Sequence, residues 1–368
     1  MRICHISTVH PLLDDRIFYK ECTTLAESGF EVFYVVTHDK RETINGVNII
    51  PLSKNENRFH RIFFKGWEAL KKALDINADI YHFHDPELLF IGSILKLKGK
   101  KVVYDVHEDV PLQILNKEWL GNIFVRKMIS KIFNFIEKNL AKKYDGIVTV
   151  TTDIVDKFYM NKNVILLRNF PVLAIIEKAE EAKMEKEKPI LIYAGGLTKI
   201  RGIKELIQTV GLLNGKAELW LLGKWESGEF EKECREIEGW KYSKYLGLIP
   251  MENVYSYMKI ADIGMCTLHP TQNHLTSWPV KAFEYMACEI PIVMSNFTYW
   301  MSEFKESAVF ADPKSADDIE RVVNELLQNK DLSDKIVKSN KALVKEKFSW
   351  EAESKMLTQL YEKVHNKN

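Results

Sequence analysis

Short apolar runs alternate with longer helical patterns in the first half of the chain. The runs that predict strands lie at 2–7, 31–37, 47–51, 80–84, 101–106, 146–151 and 164–168. Between most of them, apolar residues recur at spacings of three and four, as on one face of a helix. Several strands are apolar on both faces, which is typical of parallel strands covered by helices on both sides. The order strand, helix, strand predicts a doubly wound α/β domain.

The strand and helix pattern stops at a charged segment and then restarts. Residues 171–188 contain a run of mixed charge at 177–188 and predict a linker. Strand patterns then follow at 190–194, 217–222, 244–249, 262–267, 291–295 and 308–311. We therefore expect a first doubly wound domain over 1–170 and a second over 189–347. A ligand is expected in a cleft lined by the carboxyl ends of the strands.

Composition excludes several classes of protein. The 368 residues carry 52 basic and 51 acidic side chains, which argues against a nucleic-acid binder held by phosphate contacts. The five cysteines are widely spaced without a CxxC pair and predict reduced thiols. The chain contains no GxGxxG pattern, so the sequence does not support a dinucleotide-dependent dehydrogenase. Neither a signal peptide nor an apolar run of about 18 residues is present, so a cytoplasmic protein is expected.

Basic and aromatic residues alternate over 58–72. One interpretation is a helix that packs its apolar stripe on the sheet and turns its lysines to water. The other is peripheral contact with the inner face of an anionic membrane.

Three segments at the ends of predicted strands carry candidate chemistry in the first half. Arg16 follows Asp14 and Asp15, either of which can cap a helix, and its cation can meet an anionic ligand group. Another of these segments places His107 and Glu108 just past the strand at 101–106. A neutral histidine there can exchange a proton near pH 7.

The remaining segment, at 82–85, is open to two interpretations. His82 and His84 share a strand face by the period of two, and Asp85 follows them. Such a cluster can hold a metal. Alternatively, Asp85 caps a helix that starts at Pro86, and His84 lines the cleft.

In the second half, glycines and cations suggest a phosphate site. Gly195 and Gly196 end the first strand, and Arg201 opens the next helix. Glycines let a backbone approach a ligand closely, and helix amides with an arginine bind phosphate. Lys281 and Glu284 share a helix face, so they form either a surface ion pair or contacts to a phosphate and a sugar diol.

Taken together, these segments resemble the retaining, nucleotide-sugar-dependent glycosyltransferases of family 4, which have the GT-B fold of two Rossmann-like domains. The resemblance rests on residues 15–21, 82–85, 104–108, 195–197, 201–202 and 279–287. The last of these is the most specific. Residues 348–368 resemble the family's final helix, which crosses back to the first domain.

The resemblance implies that the C-terminal domain binds the donor and the N-terminal domain the acceptor. Arg201 would hold the diphosphate with help from Lys281, and Glu284, the second Glu of the family's E-x7-E motif, would bind the ribose. His107 would lie beside the donor sugar. The base would meet the backbone near Leu248 and Ile249, and the acceptor side would include Arg16, His84, Asp85 and Glu108.

Two positions depart from the family pattern. Thr276 stands where the first Glu of E-x7-E is expected, and Gly196 stands where an arginine is usual. The missing contacts to the donor would come from Asn273, His274 and Lys281.

The resemblance implies transfer of a sugar with retention and without a metal or other cofactor. A UDP-sugar is the first candidate donor and a GDP-sugar the second. The acceptor would be a saccharide or a lipid-linked saccharide in surface polysaccharide synthesis. Two other hypotheses remain: a metal-dependent hydrolase that uses His82, His84, Asp85 and His107, and a non-catalytic nucleotide-sugar-binding protein.

Overall fold

The computed structural model describes residues 1–54 and 64–366, except for the side chains of Glu118, Glu252, Asn273 and Thr276. The chain divides into two compact units. The first comprises Met1–Asn169 and Glu353–Asn368, and the second Phe170–Ala352.

The first unit is built on an eight-stranded sheet. Its strands are β1 (Arg2–Ile6), β2 (Glu31–Thr37), β3 (Glu42–Ile44), β4 (Val47–Leu52), β5 (Ile80–Phe83), β6 (Lys101–Val106), β7 (Gly146–Thr149) and β8 (Val164–Leu166). They are ordered β3-β4-β2-β1-β5-β6-β7-β8. Only the pair of β3 and β4 is antiparallel. The predicted strands are confirmed to within a few residues, and the short edge strand β3 is an addition.

Helices cover both faces of this sheet. They are α1 (Thr23–Glu27), α2 (Gly66–Ile76), α3 (Leu89–Leu97), α4 (Val110–Leu115), α5 (Ile123–Ala141) and α6 (Thr152–Lys157). A π-helical turn, Asp15–Cys22, precedes α1, and 3-10 turns lie at Pro86–Leu88 and Glu118–Leu120. Tyr81 and Phe83 of β5 pack in the core formed with α2, α3 and α5. Because strand residues alternate, His82 and His84 point to the opposite face.

The second unit contains a six-stranded parallel sheet. Its strands are β9 (Ile190–Ala194), β10 (Glu218–Leu222), β11 (Ser243–Gly247), β12 (Ile263–Cys266), β13 (Ile292–Ser295) and β14 (Val309–Ala311). They are ordered β11-β10-β9-β12-β13-β14. The predicted α/β class with two doubly wound sheets is confirmed.

The helices of the second unit begin inside the charged segment that was expected to link the domains. They are α7 (Leu173–Lys178), α8 (Ile203–Leu212), α9 (Gly228–Arg235), α10 (Met251–Lys259), α11 (Gln272–Thr276), α12 (Val280–Ala287), α13 (Thr298–Glu303), α14 (Ala316–Gln328) and α15 (Lys330–Glu346). The 3-10 turns are Lys199–Arg201 and Glu238–Tyr242. Beyond α7, the amide of Ala182 donates to the carbonyl of Ser256, so this segment is attached to the second unit. The last helix, α16 (Trp350–His365), belongs to the first unit from Glu353 onward.

All five cysteines are buried and carry free thiols. Among the described residues, none of the helices has the length and apolar character to traverse a bilayer.

Candidate active site

A glycine turn follows β9 in the second unit. The turn contains Gly195 and Gly196, continues through the 3-10 turn that ends at Arg201, and reaches Gly202, whose φ is +70°. A Cβ atom on Gly202 would lie 2.3 Å from the carbonyl oxygen of Thr267. Glycine is therefore required there both for the left-handed backbone and for its close approach to the residue after β12.

The head groups of Arg201 and Lys281 converge beside this turn. A Cβ atom on Gly195 would lie 3.0 Å from Nη1 of Arg201 and 3.3 Å from Nζ of Lys281. The Lys281 ammonium lies 3.6 Å from the centroid of the Tyr193 ring and has no hydrogen-bond partner among the described residues. Neither Arg201 nor Lys281 forms an ion pair with a carboxylate within the residues that the structure describes. The site therefore carries two positive charges without a counter-charge, as a diphosphate site requires.

His274 lies beside the same cations. Its Nδ1 is 2.9 Å from the carbonyl oxygen of His269, whose amide donates to the carbonyl of Ile200. Burial lowers the pKa of His274, and the charges of Arg201 and Lys281 lower it further. A neutral imidazole is thus placed next to the glycine turn. The side chains of Asn273 and Thr276, which were predicted to contact the donor, lie outside the described residues.

Glu284 lies one turn after Lys281 on α12. Its carboxylate is half-buried and accepts a hydrogen bond of 3.2 Å from the Tyr255 hydroxyl. The Lys281 ammonium lies over Tyr193, so Lys281 and Glu284 do not form the surface ion pair that was the alternative interpretation. Leu248 and Ile249 follow β11 at the carboxyl end of the sheet, with Leu248 exposed.

In the first unit, His107 ends a chain of histidines. Its Nε2 lies 3.3 Å from Nδ1 of buried His84, whose Nε2 lies 2.9 Å from Nδ1 of His5. His107 itself is partly exposed, as is expected of a residue that meets a ligand. An oxygen of Asp105 lies 3.3 Å from Nε2 of His107 and can orient its ring. Glu108 is exposed on the same loop.

Arg16 is placed differently from the free cation that the sequence suggested. Its guanidinium is buried, lies 3.2 Å from Asp105 and 3.1 Å from Glu21, and donates to the carbonyl of Leu167. Burial raises the pKa of Asp105, but Arg16 and His107 outweigh it and hold that pKa well below its usual range. Burial and then Asp105 raise the pKa of Glu21 well above its usual range. Arg16 therefore neutralises Asp105 inside the unit and is not available to a ligand.

Asp85 occupies the predicted N-cap position, but its side chain does not cap the helix. It accepts hydrogen bonds from the Ser7 hydroxyl and from the amides of Thr8 and Val9. The carboxylate therefore fixes the loop after β1 and is 1% exposed, which corrects its expected place on the acceptor surface. Asp14, by contrast, caps the π-helical turn as predicted, since it accepts from the amides of Arg16 and Ile17.

The ligand set of the proposed metal hydrolase is not assembled. Among the described residues, two groups bring ligand atoms together: His5, Glu21, His82 and His84, and His84, Asp105 and His107. Asp85 belongs to neither group. His82 Nδ1 already lies 2.6 Å from the Tyr361 hydroxyl, and Glu21 faces Arg16. His82, His84, Asp85 and His107 therefore do not come together as one ligand set, although His82 Nε2 and both Glu21 oxygens have no hydrogen-bond partner among the described residues.

Sequence reasoning assigned no role to several residues of these two sites: His5, Glu21, Asp105, Tyr361, Tyr193 and Tyr255. A signal existed for His5, because residues with the same strand parity in β1 and β5 share a face. No signal in the sequence pointed to Tyr361, because its partner His82 lies 279 residues away.

Two family models match different parts of the chain. The profile of the Glycosyltransferase Family 4 domain matches residues 16–159, and that of Glycosyl transferases group 1 matches residues 175–343. An uncharacterized glycosyltransferase of Methanocaldococcus jannaschii is 24% identical over 381 residues, covering 92% of each chain.

Solved structures show the same fold. Sucrose-phosphate synthase from Thermosynechococcus elongatus superposes with a TM-score of 0.75 at 16% identity, covering 99% of this chain and 98% of that one. Anabaena HepE in complex with UDP gives a TM-score of 0.73 at 11% identity, covering 98% of this chain and 100% of that one. The chain belongs to the glycosyltransferases of the family 4 type and has the GT-B fold.

Proposed function

We propose that the protein transfers a hexose from a nucleotide-sugar donor to a saccharide or lipid-linked saccharide, with retention of anomeric configuration. The observation that carries the proposal is the pair of uncompensated cations, Arg201 and Lys281, at the glycine turn after β9. A UDP-sugar is the first candidate, supported by the UDP and UDP-glucose complexes of the structural neighbour HepE. A GDP-sugar is the second.

In this mechanism the protein supplies charge and position. The diphosphate gains negative charge as the glycosidic bond breaks, and Arg201 and Lys281 stabilise it without further reorganisation. These two cations supply the charge that a metal ion would otherwise contribute, so we propose a metal-independent reaction. Glu284, oriented by Tyr255, would bind the ribose hydroxyls.

His107 is proposed to lie beside the donor sugar. Asp105 orients its ring, and the acceptor would attack from the face that the diphosphate leaves, giving the acceptor's proton to the phosphate. Glu108, exposed on the same loop, would contact the acceptor.

The setting we propose is surface polysaccharide synthesis at the cytoplasmic face of a membrane. Membrane contact was expected through 58–72, of which 58–63 lie outside the described residues. In the remainder, Phe64 and Trp67 are exposed, but Lys65 is buried with its ammonium next to the Thr37 hydroxyl.

A thermal-shift panel of UDP, GDP, ADP and their common sugar conjugates, with and without EDTA, tests the donor proposal. A ligand that binds only the folded protein raises the melting temperature by mass action. We expect UDP and a UDP-sugar to raise it equally with and without EDTA. No shift with any nucleotide would contradict the proposal. Binding without transfer or donor hydrolysis would indicate the non-catalytic alternative, and NMR of a product would report its anomeric configuration.

A further inference from the structure

Helix α5 of the first unit carries an apolar stripe on its outward face. Phe124, Met128, Ile132 and Phe135 follow one another at spacings of four, four and three, and Phe124 and Phe135 are 79% and 70% exposed. The most buried residues of the same helix are Ser130, Glu137 and Ala141. A surface helix of a soluble domain usually turns its apolar stripe toward the core, so this arrangement needs a partner outside the unit.

The exposed charged residues of α5 are cations. Lys127, Lys131 and Lys138 are exposed along α5. The only acidic residue of the helix, Glu137, is buried and pairs with Lys157 and the Tyr104 hydroxyl. The outward face of α5 therefore presents aromatic and aliphatic side chains, and the exposed charges that this helix itself carries are positive.

The neighbouring helices extend this surface. Helices α2, α3 and α5 lead into the adjacent strands β5, β6 and β7 and pack on one face of the sheet in a common core. Their outward sides therefore form one layer. Trp67 of α2 is exposed on that layer, as are Phe90 and Leu97 of α3.

We infer that the outward layer of α2, α3 and α5 docks the protein on the surface of a bilayer that contains anionic lipid. Aromatic and aliphatic side chains enter the acyl boundary, while long lysine side chains reach back to the headgroups. Anionic headgroups complement the cations, each contributing attraction near the surface. A protein partner fits less well, because protein interfaces are depleted of lysine.

This inference rests on the proposed membrane setting and extends the contact from 58–72 to a layer centred on α5. It predicts that the protein lies on the membrane, since none of the helices in the described parts of the chain can cross it. A lipid-linked acceptor would then be brought to the first unit by the surface on which both reside.

Co-sedimentation of the full-length protein with vesicles tests the inference. Phosphatidylcholine vesicles are compared with vesicles that contain phosphatidylglycerol, at low and high salt and without any sugar donor. We expect binding to the phosphatidylglycerol vesicles that weakens as salt rises, because salt screens the attraction between lysine and headgroup. Nucleotide binding is measured in parallel, so failure of the donor proposal remains distinguishable from failure of vesicle binding.

Matched double variants identify the surface. Phe124→Ser with Phe135→Ser should reduce vesicle affinity at least about tenfold, the scale expected for removing two large apolar side chains. Leu212→Ser with Met301→Ser, which removes exposed apolar residues from the second unit, should leave it unchanged. Lys127→Glu with Lys131→Glu should abolish the preference for phosphatidylglycerol.

Three outcomes would overturn the inference. The first is equal binding of the phenylalanine variant and the parent protein, and the second is no binding of the parent to phosphatidylglycerol vesicles. The third is a dimer in sedimentation velocity without lipid that dissociates in the phenylalanine variant, since the layer would then be an interface between copies.

Discussion

Lys281 illustrates how the function of a residue can oppose its contribution to stability. Its ammonium lies against Tyr193 beside the guanidinium of Arg201, without a hydrogen-bond partner among the described residues. An arrangement of two like charges costs free energy in the unliganded protein and is relieved when an anion binds. The sequence identified Lys281 and Arg201 as candidates, but not this relationship.

Replacement of Lys281 by methionine should therefore separate stability from binding. Lys281→Met keeps the contact with Tyr193 but removes the charge. We expect nucleoside-diphosphate affinity to fall by about 2 kcal/mol, the scale of a hydrogen bond to a charged group, and the melting temperature without nucleotide to rise. Calorimetric titration and a thermal melt measure the two quantities. The control is Lys335→Met on α15, where the lysine is exposed. Unchanged affinity in Lys281→Met would show that its ammonium does not contact the diphosphate.

At the scale of elements, the sequence predicted strands well because most of them are buried on both faces. Strand β3 was missed, since it has only three residues and two of them, Glu42 and Thr43, are polar. Asp85 shows a different limit. Its position before Pro86 is that of an N-cap, but its hydrogen-bond donors lie 76 to 78 residues earlier in the loop after β1. Local patterns cannot reveal such a distant partner.

The glycine turn after β9 is the element whose geometry can be tested directly. In Gly202→Ala, the new Cβ would meet the Thr267 carbonyl at 2.3 Å in a left-handed backbone. We expect a loss of about 2 kcal/mol in stability and weaker nucleotide binding, because the turn must move away from β12. Urea unfolding and calorimetry measure these effects.

Gly228→Ala is the matched control for that substitution. Gly228 begins α9, and a Cβ atom there would meet nothing within 4 Å. We expect its stability and nucleotide affinity to match those of the parent protein. If Gly202→Ala behaved in the same way, the turn would be able to tolerate a side chain.

For the whole molecule, the buried histidine cluster predicts a dependence of stability on pH. Burial lowers the pKa of His5 and His82 well below the usual 6.5 and that of His84 to about 4. These imidazoles are neutral in the folded protein, whereas the unfolded chain takes up protons as the pH falls through 6.5. Their contribution is fully present above pH 6.5 and is lost below it.

Glu21 partly offsets this effect. Its raised pKa means that the folded protein holds one proton there which the unfolded chain has released above pH 4.5. The histidines of the unfolded chain take up protons that the folded protein does not, and Glu21 offsets only part of this, so stability should fall as the pH is lowered from 6 to 5. Urea unfolding at several pH values measures this fall, and His82→Phe should make it smaller. A flat profile would show that the buried histidines are not neutral.

The sequence by itself determined the architecture and the candidate donor-binding residues of the second unit. Strand alternation, helical spacing and turn residues act over a few neighbours, so two doubly wound sheets and the candidates Arg201, Lys281 and Glu284 could be read from local patterns. The tertiary structure alone decided which charges are free. Arg16 and Lys281 are both cations near strand ends, but Arg16 is neutralised by Asp105, 89 residues away, whereas Lys281 faces Arg201 and an aromatic ring. Whether a charge is compensated depends on groups brought together by folding, and local sequence does not contain that information.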